Sequence, residues 1–315
     1  MSRAIKLLPK SVRIGGTPLR RGFSTTDTPE PDGVRRVSNS CVELETYTNY
    51  VQRGAAGAIG MSITISVTTS IAAALGIGFD NLDRETLVAI FAWLPALTVL
   101  AFIFYLAGGA HKSRGAYIRI HRSTRKLYFI YPREKRLHVL DWDRLEALAG
   151  YIPTVSASGY ASRHPLYLIG IDHAMSPPTE ICAACGNLGL FDGDRSAKSL
   201  WAYLQAFMAH GPEGLPEPAP LPPRLSRKQE TLRPYRDWYA GLRRRLAKPY
   251  GMLKAPLTVP LWLGWLLINA FPDSVEAFIQ YNVPYARFPK EIDQLCGFDD
   301  IQPAAIGISG DRIPP

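Results

Sequence analysis

The chain has 315 residues, of which 47% are hydrophobic and 20% charged, with a net charge of +9. That length holds one or two domains, and four scattered cysteines (Cys41, Cys182, Cys185 and Cys296) exclude a disulfide framework and fit a reducing compartment. The surplus Lys and Arg sit beside hydrophobic windows, which favours an anionic membrane surface over nucleic acid as the partner.

Residues 1–53 read as a basic, largely disordered cytoplasmic tail, with nine bases against five acids. Arg3, Lys6, Lys10, Arg13, Arg20 and Arg21 precede the first acid, Asp27. That composition also fits a mitochondrial presequence, and it lacks the apolar core of a secretory signal.

Gly54 to Phe79 is a run of 26 residues without charge, and Thr86 to Ala110 is another of 25. Each exceeds the roughly 20 helical residues that cross a bilayer core, so 54–110 reads as a transmembrane helical hairpin. The turn between them holds Asp80, Asp83, Arg84 and Glu85, while Lys112, Arg114, Arg119, Arg122, Arg125 and Lys126 follow the second helix. The positive-inside rule then places both termini in the cytoplasm.

Along the first helix, Ser62, Ser66 and Ser70 recur at four-residue spacing, and Ala56 and Gly60 add a small-xxx-small pair. Such a face lets another helix approach closely. It is expected to meet the second helix or, in a homo-oligomer, a second copy of the chain. A transport path would call for an intramembrane charge; neither window holds one, so the hairpin reads as an anchor or docking surface.

Residues 111–211 read as a cytoplasmic β-rich domain with a closing helix. Tyr117–His121, Lys126–Tyr131 and Leu137–Leu140 alternate or run apolar between basic turns, the pattern of an antiparallel meander. Leu166–Ile171 adds a strand, and Ile181–Phe191 another. Leu200, Trp201, Leu204, Phe207 and Met208 share one face of a helix that stops at Gly211-Pro212. A small antiparallel sheet closed by one amphipathic helix is the outline of a pleckstrin-homology-like barrel. Arg119, Arg122, Arg125 and Lys126 are expected to touch anionic lipid.

Residues 212–223 form a proline-rich connector. Residues 224–315 read as a basic amphipathic helix, a hydrophobic segment and a tail. Nine bases against two acids fill 224–248. Tyr235, Trp238, Tyr239, Leu242 and Leu246 fall on one face, which suits either the interface of an anionic leaflet or packing on the domain. Arg233, Arg236, Arg243, Arg244 and Arg245 are the expected lipid contacts. The uncharged run from Ala255 to Pro272 is 18 residues long and interrupted by Pro256 and Pro260. It reads as a buried or interfacial segment rather than a third span.

Chemistry-bearing motifs are sparse. Cys182-Ala-Ala-Cys185 has the spacing of half a zinc knuckle without its other half, so Cys182 and Cys185 are weak metal candidates. Asp141-Trp142-Asp143 reads as a turn around a buried Trp. The chain carries no nucleophile elbow, P-loop, dinucleotide fingerprint or H-E-x-x-H, so a non-catalytic protein without a cofactor is expected.

Leu140-Asp141-Trp142-Asp143, the helix from Trp201 to Met208 running into Gly211-Pro212, and Phe288-Pro289-Lys290-Glu291-Ile292 followed by Cys296 stand behind a two-helix hairpin. Together they make the chain resemble a family of proteobacterial two-span inner-membrane proteins often encoded near type VI secretion genes. The resemblance covers roughly residues 45–300. It implies an α+β inner-membrane protein that is immunity-like or accessory, with a secreted toxin or a secretion-system protein as partner, and it argues against the presequence. A membrane-tethered scaffold binding anionic lipid through its basic cytoplasmic domain is the alternative.

Overall fold

The computed structural model describes residues 16–22, 27–77, 83–111, 117–131, 136–156, 159–186, 193–220, 225–284 and 287–298. The basic stretch before residue 16, on which the presequence reading rests, lies outside them. In chain order the elements are β1 (Thr17–Leu19), β2 (Val34–Val37), β3 (Cys41–Leu44), α1 (Tyr47–Ile77), α2 (Arg84–Ala107), β4 (Ile118–His121), β5 (Lys126–Ile130), β6 (Leu137–Asp141), β7 (Glu146–Ala149), β8 (Ile152–Ser156), β9 (Gly159–Arg163), β10 (Leu166–Asp172), β11 (Thr179–Cys185), α3 (Arg195–His210), α4 (Arg227–Leu246), α5 (Ala255–Trp265), α6 (Phe271–Gln280) and α7 (Lys290–Cys296). They divide into two compact units. A sheet unit takes the described parts of 1–50, 115–223 and 285–315; a helical unit takes those of 51–114 and 224–284.

The sheet unit is a mixed α+β fold with two antiparallel sheets, ordered β2-β3-β4-β5-β6 and β1-β7-β10-β11, plus the hairpin β8-β9. Alternation dictates the inner faces. Val42, Leu44, Ile118, Ile120, Leu127, Phe129 and Leu140 of the first sheet meet Leu166, Leu168 and Ile181 of the second in one core. Helix α3 closes it with Leu200, Trp201, Leu204 and Phe207, the stripe read from its spacing. Each such side chain contributes roughly 1.5–3 kcal/mol by leaving water. Gly211, at φ 88, ends α3 in a conformation that a side chain would strain. At one seam Thr46 bridges Cys185. There the Tyr131 hydroxyl donates to the Cys182 carbonyl at 3.0 Å and accepts from its N–H at 3.1 Å.

The expectation of a largely disordered tail over 1–53 is corrected from Thr17 onward. Strand β1 pairs with β7, and β2 and β3 pair with each other and with β4. Arg21 stacks over Trp142 and Trp201 at 5.5 and 5.9 Å and donates to the Leu145 carbonyl at 3.1 Å. The Trp201 indole donates to the Arg20 carbonyl at 2.9 Å. Arg21, read as part of a tail, is thus fixed by aromatic faces and a carbonyl. Trp142 itself is buried in a short 3-10 turn, as its flanking acids suggest.

In the helical unit Ala56, Ile59, Tyr105 and Ala110 form a buried apolar cluster, but farther along α1 and α2 the usual pattern is inverted. On α1, Ser62, Thr64, Ser66 and Ser70 are buried while Ile65, Val67, Ile71 and Leu75 are exposed; on α2, Val99, Leu100, Phe102, Ile103 and Phe104 are exposed. Asp83 caps α2 by accepting the Thr86 N–H at 2.8 Å, and Ser226 with Gln229 forms a capping box on α4.

The hydrophobic run after Ala255 is longer than its prolines suggest. Helices α5 and α6 join through a π turn, Leu266–Ala270, into one path to Gln280. Pro272 leaves the carbonyl four residues earlier without its helical donor, and a wider turn just before the proline accommodates that loss. Of the buried or interfacial segment expected here, the buried alternative holds only for one side: Trp262, Ala270 and Pro272 are buried, while Leu257 is 69% and Leu261 66% exposed. Among the described residues, two helical stretches are long and apolar enough to cross a membrane, Gly54–Gly76 and Ala255–Gln280, and Pro95–Ala107 is a shorter apolar one.

Candidate functional site

The most heavily charged interior lies on the outer face of the five-stranded sheet, under α7. In register, Cys41 faces His121 and Glu43 faces Arg119. All four are buried, so both faces of β3 and β4 are covered. Phe288 and Ile292 pack on Tyr117, Tyr128 and Ile130, and Cys296 and Phe298 pack on Cys41.

Glu43 receives three arginines. Arg36 donates to it through Nε at 2.9 Å and Nη2 at 2.8 Å, Arg119 through Nε at 2.9 Å, and Arg35 lies 3.5 Å away. Arg119 also donates to Asp293 of α7. Arg119 lies over the rings of Phe288 and Phe298, at 4.2 and 5.2 Å. Burial pushes the Glu43 carboxyl up, but the bonds and charges of Arg36, Arg119 and Arg35 outweigh it and hold the carboxyl below its ordinary range.

The Cys41 thiol is pushed well up, first by burial and then by the neighbouring Cys296. The Ser38 hydroxyl donates to the Cys296 carbonyl at 2.9 Å. This cluster ties four strand and helix segments together. Its buried charges are paired with one another and stacked on rings, which is the chemistry of a lock rather than of a reaction centre.

A second pair joins the two sheets. His138 Nδ1 on β6 lies 2.9 Å from Asp172 Oδ2 on β10, both buried, and Asp172 also accepts the Ala174 N–H at 3.0 Å. Spacing alone could not announce this pair, because its members are 34 residues apart.

The expected lipid contacts separate into two groups. Arg119 is buried in the cluster and makes no surface, so that expectation is corrected; its alternating partners looked like a solvent face because α7 was not legible as a cover. Arg125 is tied to Asp143 through Nε at 2.7 Å, Arg122 crowds Gly211, and Lys126 is exposed. On α4, Arg236, Arg243 and Arg244 are exposed. Arg233 lies 3.8 Å from buried Glu230, and Arg245 stacks over Trp262 at 4.6 Å.

The aromatic stripe of α4 also divides. Trp238 donates to the Trp262 carbonyl at 2.7 Å and Trp262 donates to the Trp238 carbonyl at 2.9 Å, a reciprocal pair that fixes α4 against α5. Gly241 makes this approach possible, since a Cβ there would stand 2.8 Å from the Trp262 ring. Tyr239, Leu242 and Leu246, with Arg243, Ala247 and Met252, line a shallow apolar groove of about 310 Å³ on the other side.

The small-residue face of α1 finds a partner beyond the two expected. Ala56 packs with Tyr105 of α2. Gly60, however, lies against Pro272, whose Cα would be 2.6 Å from an added Cβ, and Gly57 faces Glu276. Thr64 donates to the Leu267 carbonyl at 2.9 Å, and Gln280 donates to the Gln52 carbonyl at 3.3 Å. Ser62 bonds back to the Ile59 carbonyl at 2.7 Å; Ser66 and Ser70 are buried beside it.

Cys182 and Cys185 sit three residues apart on β11, so their side chains point to opposite faces. Cys185 belongs to the main core and Cys182 to a small cluster with Leu148, Tyr167 and Ile169. The two sulfurs do not converge on one ion. Among the described residues no group of three His, Cys, Asp or Glu is arranged to hold a metal.

Residues 95–297 match the model of a family described as a family of unknown function (DUF6708). No curated protein and no solved structure matches the chain.

Proposed function

The chain belongs to DUF6708, a family of unknown function, and we propose from its own geometry that it is a non-catalytic inner-membrane protein acting by protein contact. One observation carries the anchor: α1 buries Ser62, Thr64, Ser66 and Ser70 while α1 and α2 expose aliphatic side chains such as Ile71 and Ile103, the arrangement that hydrocarbon solvent favours and water opposes. The hairpin α1–α2 is then a two-span anchor with both termini cytoplasmic. The sheet unit is its contact module, and the strands β3–β6, the strands β7, β10 and β11, and the closing helix α3 support a pleckstrin-homology-like outline.

The partner follows from the resemblance noted in the sequence. In this reading the protein is an immunity-like or accessory component of a type VI secretion system and meets a secreted toxin or a secretion-system protein. The buried charges of the sheet unit support contact over catalysis, because Glu43, Arg119, His138 and Asp172 are engaged with each other or with α7. The test is to express the full chain in cells challenged with the toxin encoded beside it. Protection is expected; undiminished killing, with the protein present in the membrane fraction, would overturn the immunity reading.

The exposed arginines Arg236, Arg243 and Arg244 favour a second reading, a membrane-tethered scaffold that binds anionic lipid. In the sheet unit Arg119 is interior and Arg125 is paired with Asp143, which leaves Lys126 as the exposed cation least engaged there.

A further inference from the structure

Helix Ala255–Gln280 is long and apolar enough to be a third span, yet its neighbours argue otherwise. The chain leaves the sheet unit after Pro223 and is part of it again by Phe288, which packs on Tyr128 and Ile130 of the sheet. Asp293 and Cys296 then bond to Arg119 and Ser38. An excursion that starts and ends in one folded unit crosses a bilayer an even number of times or not at all. If Ala255–Gln280 crossed, α4 would have to cross as well.

Helix α4 is unfit to cross. Over 20 residues it carries Arg227, Lys228, Arg233, Arg236 and Arg243–Arg245 against Glu230 and Asp237. It is also held to the apolar helix along its length, by Tyr281 to the Leu225 carbonyl at 3.2 Å, Ser274 to the Thr231 carbonyl at 2.7 Å, and the reciprocal Trp238–Trp262 bonds. Unscreened cations in hydrocarbon are among the most costly side chains to place.

We infer that α4 and Ala255–Gln280 form a hairpin that enters one leaflet without crossing it, and that its cations bind anionic phospholipid headgroups on the side of the sheet unit. Exposed Tyr250, Met252, Leu253, Leu257 and Leu261 stand at and beyond the turn, flanked by Lys248 and Lys254. Apolar side chains ringed by Lys and Arg are what an anionic leaflet accepts. The apolar groove beside Arg243 has the same mixed character.

Helix α1 is long enough to serve both partners. Its 31 residues reach about 46 Å against the roughly 30 Å of a hydrocarbon core. The contacts to Gln280, Glu276, Pro272 and Leu267 run from its N-terminal turns to just past its midpoint, at Gln52, Gly57, Gly60 and Thr64.

The inference rests on the anchor reading, and one labelling experiment separates the two. Single cysteines are placed in the full-length protein at Lys248, at Glu217 of the sheet unit, and at Asp83 before α2. The wild-type chain, whose own cysteines are buried or half-buried, serves as background. Each is labelled with a membrane-impermeant maleimide in right-side-out and inverted vesicles. Lys248→Cys is expected to react from the same side as Glu217→Cys, and Asp83→Cys from the opposite side. Reaction of Asp83→Cys from the Glu217 side removes the two-span anchor. Reaction of Lys248→Cys from the far side, or from neither side, overturns the non-crossing hairpin. In vesicles of pure phosphatidylcholine, Lys248→Cys should react several-fold faster than in vesicles with one-third phosphatidylglycerol; equal rates would overturn the headgroup contact.

Discussion

The two units solve the burial of polar groups in opposite ways. In the sheet unit the polar interior is charged and paired: Glu43 with Arg36 and Arg119, His138 with Asp172. On α1 of the helical unit the buried polar groups are uncharged, Ser62, Thr64, Ser66 and Ser70, while Ile65, Val67, Ile71 and Leu75 face outward; Glu230 of α4 is the buried charge of that unit, with Arg233 beside it. Charges can be taken out of water when their partners are near and fixed. Hydroxyls on a helix can be turned inward at low cost where they bond back to the preceding turn, as Ser62 does to Ile59 and Thr64 to Gly60, while the buried Ser66 and Ser70 hydroxyls make no such bond. On the proposed anchor reading, the contrast is that of one chain built for two solvents, with ion pairs as the glue of the sheet unit and close backbone approach as the glue of the helical unit.

The largest test of this contrast is Glu43→Gln. It leaves Arg36 and Arg119 facing a neutral amide in a buried site, and a loss of about 3–5 kcal/mol in the stability of the sheet unit is expected from breaking such a network. Denaturant unfolding of the full chain, followed by tryptophan emission, measures it. The same position sets an acid limb. The Glu43 carboxyl is held below its ordinary value, so its contribution is complete above an ordinary Glu value of about 4.3. That contribution is lost as pH falls through the lowered native value. The variant should lack that limb.

Next is Ile71→Arg on the outward face of α1, where the native residue is 55% exposed. A surface in water would tolerate the change. A surface in hydrocarbon should resist it by roughly 2.5–3.5 kcal/mol near the centre of a span, seen as a lower membrane-inserted fraction. An unchanged fraction would break the comparison at its root. Gly60→Ala follows, at about 1–3 kcal/mol for overpacking, because an added Cβ would stand 2.6 Å from Pro272 Cα; thermal unfolding in detergent should show it. Thr64→Val is the smallest, about 0.6 kcal/mol for one interhelical hydrogen bond, and it sharpens the claim that shape outweighs hydroxyl bonding between these helices.

Much of the sheet unit was legible because its central strands obey simple alternation. Strands β4, β5 and β6 and helix α3 lie where spacing puts them. The strands before α1 were hidden for a physical reason. Each is three or four residues long, and β3 is buried on both faces, so Cys41-Val42-Glu43-Leu44 shows no solvent side. The same cover disguised Arg119 and His121 as surface. The candidate cluster was illegible because Glu43 and Arg119 are 76 residues apart and Asp293 a further 174. No local pattern links them; only the sheet register does. In the helical unit, hydropathy marked the windows, while the meeting of Gly60 with Pro272 depended on a helix that continues through its prolines.

The placement of the hairpin between β3 and β4 has a consequence for biosynthesis. Strand β3 ends at Leu44 and its partner β4 begins at Ile118, so the two central strands of one sheet emerge from the ribosome separated by both apolar helices. At about 5–20 residues per second, β3 waits seconds for its neighbour. The loop that joins them can close cheaply only once the helices lie side by side, since closure cost grows with the length of free chain. Nascent β2 and β3 can pair with each other, but β3 presents an unpaired, aggregation-prone edge until the α1–α2 hairpin brings Ile118 within reach. On the proposed anchor reading, delayed targeting should disturb the sheet unit first, before any helix fails to form.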